Sequence, residues 1–167
     1  YFQAGNQLEN NEIIESNQAK DQIINAMKIS GRNKNKLGVG FFNAVTAPSE
    51  AIALDTLSGA RRSISTSSLT NYNVTVFDQI LPNNSFVSLI HTSVLRSGAD
   101  YDVNVLGTAF DIRDKKNAFS ISGSGAFNRK WGPDYAQNNS GRNGLRQDVG
   151  INKISGNWNT SIGQYME

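Results

Sequence analysis

Between Thr70 and Lys130 polar and apolar side chains alternate through four successive segments, and this limits the fold more than anything else in the chain. Asn71–Ile80 alternates, Leu81–Asn84 reads as a turn, and Ser85–Val94 resumes the alternation. Asp102–Ile112, a turn at Asp114–Asn117, and Ala118–Phe127 repeat the pattern. Successive side chains of a strand point to opposite faces, so period-two alternation predicts an antiparallel sheet. The expected sheet has one apolar face, with Tyr72, Val74, Val76, Val87, Leu89, Val103, Val105, Phe119 and Ile121. Its other face is polar, with Asn71, Asn73, Thr75, Asn104, Ser120 and Ser122. The open question is whether the apolar face meets a protein core or lipid.

Composition narrows the choices. The 167 residues amount to one domain or a piece of one. Without cysteine there are no disulfides, thiolate metal sites or cysteine nucleophiles. A net charge of +2, with no basic stripe interleaved with aromatics, gives no reason to expect a nucleic-acid partner. No run reaches the ~20 apolar residues of a spanning helix. Spanning strands need only ~10 residues and hide half of them behind polar alternation, so a membrane stays open. Fifteen glycines against three prolines suit tight turns and a curved sheet.

Tyr1–Gly5 resembles the tail of a common tag-removal protease site and is read as a tag scar. Residues 6–23 are polar and acidic and read as a loop or short helix. Residues 24–167 carry the strand pattern. Ile24–Arg32 and Leu37–Val45 flank a turn at Asn33–Lys36, and Gly38 and Gly40 leave room for curvature or for a neighbour's side chain. Ala51–Asp55 and Arg61–Ser65 are expected to pair around Ser58–Gly59. After a polar loop at 131–144, Gln147–Ser155 and Trp158–Tyr165 flank Gly156–Asn157. The expected fold is all-β, an antiparallel up-and-down meander of roughly eight long strands forming a β-barrel or part of one. Short turns gather at one end and longer connections at the other. The first strand then starts at the long-loop end, so either a strand precedes Ile24 or the chain is cut from a larger barrel.

Lys28–Arg32, Leu37–Thr46, Thr70–Gln79, Asn84–Ile90 and Val103–Gly107 together resemble a Bacteroidota family of large outer-membrane barrels. In that family the barrel follows a module similar to family-9 carbohydrate-binding modules and is a domain of unknown function. The resemblance covers roughly Gln22 to Tyr165 and implies location and architecture. It carries over no catalytic set, and the carbohydrate-binding module and most of the barrel are absent from this sequence.

Few residues invite chemistry. His91 is the only histidine and falls mid-strand. Asp78, Asp102 and Asp111 invite comparison with the paired carboxylates of glycoside hydrolysis, but strand ends and turn flanks commonly carry Asp. Gly38-Val-Gly40 lacks the lysine and helix start of a phosphate loop. Ser122-Gly-Ser-Gly125 lacks the strand-to-helix turn of a nucleophile elbow. Trp131, Tyr135, Trp158, Tyr165, Tyr72 and Tyr101 lie near strand ends; exposed Trp and Tyr also make saccharide platforms, but scatter over many strands fits an interfacial aromatic girdle better than a patch.

The expectation is therefore a non-enzymatic outer-membrane barrel segment, without cofactor or metal, serving as a pore, anchor or display support. Its expected partners are a lipid bilayer or detergent, the remaining strands of a larger barrel, and other copies of itself through open sheet edges. The alternative is a soluble β-barrel or sandwich binding a saccharide or small apolar ligand.

Overall fold

The computed structural model describes residues 4–17, 22–98, 100–132 and 143–167. After a 3-10 turn at Ala4–Gln7 the elements are strands β1 (Glu12–Asn17), β2 (Ile23–Arg32), β3 (Leu37–Thr46), β4 (Ser49–Asp55), β5 (Arg61–Ser67) and β6 (Thr70–Leu81). β7 (Ser85–Arg96), β8 (Asp102–Arg113), β9 (Phe119–Trp131), β10 (Asn143–Lys153) and β11 (Thr160–Met166) follow. They form an eight-stranded sheet in the order β11-β10-β9-β8-β7-β6-β3-β2 and a three-stranded sheet β1-β4-β5. Every pairing is antiparallel. The fold is the expected all-β meander. Among the described residues, β2 and β11 lie at opposite edges and do not pair, so the sheet is open.

The smaller sheet prolongs the ladder of the larger one. Thr46, at the end of β3, pairs with Thr70, at the start of β6, and Ser49, at the start of β4, pairs with Ser67, at the end of β5. Pro48 has no N–H to give, so the ladder is interrupted between these two pairs. The hairpin expected around Ser58–Gly59 is present: the Asp55 carboxylate accepts the N–H groups of Leu57 and Ser58, and Gly59 has φ 71°. Ala51, Ala53 and Ile64 share one face of this sheet and are almost fully buried.

β1 is a correction, because Glu12–Asn17 had read as part of a polar loop or short helix. Its apolar residues are adjacent rather than alternating, and its register with β4 shifts between Ile14 and Ser16. Ion pairs hold it. Arg61 grips Glu15 through two bonds of 2.7 Å, and Arg62 grips Glu12 through bonds of 2.6 and 2.7 Å. These guanidinium bonds keep both carboxyls below their ordinary range.

Short turns and long connections separate as expected. The links at Asn33–Lys36, Pro82–Asn84, Asp114–Ala118 and Ile154–Asn159 all lie at one end of the large sheet. Asp114 organises its turn by accepting the N–H groups of Ala118 and Phe119, which hold its carboxyl low. At the other end are the three-stranded extension and the connections after β7 and β9.

Candidate functional site

In an antiparallel pair, directly opposite residues share a face. Val76 pairs with Ile90, and Ile90 with Gly107. Phe77 pairs with Leu89, and Leu89 with Thr108. Following these rows across the sheet defines a Val76 side and a Phe77 side. The expected single apolar face does not survive. Tyr72, Val74, Val76, Val103 and Val105 lie on the Val76 side, whereas Val87, Leu89, Phe119 and Ile121 lie on the Phe77 side. The expected polar stripe divides likewise: Asn71, Asn73, Thr75 and Asn104 on the Phe77 side, Ser120 and Ser122 on the Val76 side.

The division comes from the registers of all the connections between β6 and β9, beginning with the first turn. Reading Leu81–Asn84 as a four-residue connection would pair Val76 with Leu89. The structure uses three residues, Pro82–Asn84, with Leu81 opposite Ser85 and with Asn83 and Asn84 at φ 59° and 57°. Asparagine tolerates this left-handed backbone better than most residues. A one-residue change of register moves all of a strand's side chains to the other face. The β7–β8 and β8–β9 registers differ by a residue too from those that a single apolar face requires, so Val103 and Val105 stay with Val76 while Phe119 and Ile121 do not.

Each side is thus half polar and half apolar, with the halves exchanged. Towards the turns, the Phe77 side carries Val39, Phe77, Leu89, Phe110, Ile121 and Val149. From the row through Thr75, His91 and Leu106 down to the turns it holds no Asp, Glu or Arg among the described residues, and its only lysine is Lys153 in the last row. The row above turns polar: Asn43, Asn73, Ser93, Asn104 and Arg129. Asn43 Nδ2 donates to Asn71 Oδ1 at 2.6 Å and to Asn73 Oδ1 at 2.8 Å.

The turn half of the Val76 side is mostly small and charged, apart from Ile80 and Phe86 beside the turn. Arg32 crosses over Gly38 to pair with Asp78, so the glycine does admit a neighbour's side chain. Arg113 pairs with Asp111 at 3.1 Å, Ser124 bonds Asp148, and Asn152 donates to Ser122 at 3.0 Å. On the loop half of this side, Tyr72, Val74, Val76, Val103 and Val105 are half-buried.

The candidate catalytic residues are not brought together. Asp78 and Asp111 are held by different arginines, two strands and one row apart, about 12 Å from sheet spacings. That exceeds the ~5–9.5 Å of glycosidase carboxylate pairs. Asp102, on the Phe77 side, accepts the Arg96 N–H at 2.6 Å. His91 lies mid-strand between Thr75 and Leu106. Among the described residues no cluster of three or more His, Asp or Glu could hold a metal ion. The aromatics divide between the two ends. Tyr101 stands near the loops under Arg96 (4.8 Å) and Lys130 (5.6 Å), and Trp158 at the turns under Lys153 (4.6 Å). Tyr135 lies outside the described residues.

Fold and register define an all-β meander whose exposed feature is a surface rather than a cleft. The chain belongs to the family described as a domain of unknown function, DUF5916, whose profile matches residues 1–167. No curated protein and no solved structure matches it.

Proposed function

We propose that this chain is a length of the wall of an outer-membrane β-barrel of the Bacteroidota type. It is non-enzymatic and serves as a pore, anchor or display support for an attached carbohydrate-binding module. The observation that carries this reading is a long sheet with large apolar side chains left uncovered. Phe77, Leu106, Val149 and Ile151 are 45%, 44%, 47% and 58% exposed. Burying apolar surface drives folding in water, so a sheet that leaves this much uncovered calls for another apolar phase. β6 to β9 run 12–13 residues, enough to span hydrocarbon, which takes ~9–11 tilted residues. Short turns at one end and longer connections at the other fit the same architecture.

The open edges β2 and β11 call for strands to continue them, because lipid offers backbone groups no partner. The remaining strands of a larger barrel would supply them, and copies of this chain would do so if it were alone. A soluble saccharide-binding barrel would instead need the exposed Phe77-side residues inside it. Flotation separates the two readings. Chain that rises with phospholipid vesicles and aggregates in plain buffer supports the proposal. A monodisperse, cooperatively melting monomer without detergent or lipid refutes it.

A further inference from the structure

The register adds which surface meets lipid and over what depth, an inference that rests on the barrel reading above. We infer that acyl chains contact the turn half of the Phe77 side alone, and that the loop half of the wall stands clear of the hydrocarbon.

Charge is the first argument. The turn half of the Phe77 side carries no acid or arginine among the described residues, which suits a phase where ionised groups are costly. The reverse surface of the same half holds the Arg32–Asp78 and Arg113–Asp111 pairs, as a hydrated lumen would.

Dimension is the second. On β9 the apolar stretch runs from Phe119 to Phe127, nine residues whose eight steps span about 26 Å along the strand and about 20 Å once tilted. That approaches the ~25 Å apolar band of such barrels. Both margins fit an interface. At the turns Lys153 lies over Trp158 and reaches the carbonyls of Ser155 and Trp158. At the upper margin the amide and arginine row through Asn73 and Arg129 begins.

Exposure is the third. On the turn half of the Phe77 side most large apolar residues are exposed, Phe77, Leu89, Leu106, Ile121 and Val149 among them, while Phe41 and Phe110 are half-buried. On the loop half of the Val76 side Tyr72, Val74, Val103 and Val105 are half-buried, with Ile90 at the boundary exposed. This is the pattern of a wall curved towards the Val76 side, with an apolar interior above the membrane and an apolar exterior within it. The β4–β5 hairpin then prolongs the wall away from the bilayer.

The cysteine-free chain permits single-cysteine probes. A small environment-sensitive fluorophore is placed singly at Leu89, Phe110, Ser88, Val105 and Asn73 in the full chain, bound to vesicles of acyl-brominated phosphatidylcholine. The inference expects Leu89 and Phe110 to lose most of their emission, and Ser88, Val105 and Asn73 to keep theirs. Quenching at Val105 with Leu89 silent overturns the inference but leaves the membrane reading standing. Vesicle-bound chain with all five sites silent overturns the membrane reading as well. Leu89 and Phe110 shielded while other sites quench assigns that surface to a protein partner and refutes contact with lipid.

Discussion

Replacing Val87 with arginine tests the sidedness of the wall through energy. Val87 lies in the row of Gln79 and Phe110, midway down the apolar half of the Phe77 side. Two rows separate it from each margin, four residues or about 13 Å along the strand, which tilt reduces to about 10 Å. That is near mid-depth in a ~25 Å band, where an outward arginine costs about 2–4 kcal/mol. The folded-to-unfolded ratio should fall about 30- to 700-fold, at tenfold per 1.4 kcal/mol. Ser88→Arg is the matched control, one residue along the same strand, opposite Asp78 and Ala109 on the charged side. It should change stability by less than about 0.5 kcal/mol. The assay is guanidinium unfolding in phospholipid vesicles, followed by emission from Trp131 and Trp158 and extrapolated linearly. Equal costs, or a larger cost for Ser88→Arg, would refute the argument from register.

Other expectations follow from the geometry. Ile64→Ala removes a side chain that is 2% exposed and should destabilise the three-stranded sheet by about 2–5 kcal/mol, read as faster amide exchange in β4 and β5. Gly123→Ala should cost about 1–3 kcal/mol in vesicle unfolding, because a Cβ there would stand 2.5 Å from the Asp148 carbonyl oxygen and 3.0 Å from the Phe110 ring. Glu12 and Glu15 have lowered folded pKa values, so their contribution is complete above the unfolded value of about 4.3 and disappears as pH falls through the folded one. Amide protection of β1, corrected for intrinsic rate, should therefore fall selectively between about pH 5 and pH 3, while β7 holds. In plain buffer the chain alone should self-associate through β2 and β11, and light scattering showing only monomer contradicts this.

The sequence made strands legible wherever alternation was long and turns were tight, as from Asn71 to Phe127. It also disclosed the β4–β5 hairpin, through Ser58-Gly59 between two short runs. Two things escaped it. β1 was hidden because Ile13 and Ile14 are adjacent, and because its pairing is with residues some forty positions away, Glu12 with Asp55. The division of faces was hidden because alternation shows that side chains change sides without showing which side follows a turn. Whether Leu81 belongs to β6 or to the turn decides whether Leu89 joins Val76 or Phe77, and both readings keep the same alternation. The aspartates were legible as turn and strand-end residues, and the arginines holding Asp78 and Asp111 explain two of them.

Solid-state NMR transfer of magnetisation from lipid acyl protons to side-chain methyl groups reports which side of the sheet touches hydrocarbon. In vesicle-reconstituted chain, transfer should build up first at Leu89, Leu106, Ile121 and Ile151, with Val74, Val76 and Val105 remaining dark. Early transfer to Val74, Val76 and Val105 with none to Leu89 would mean that the hydrocarbon lies against the opposite side of the sheet, contrary to the account.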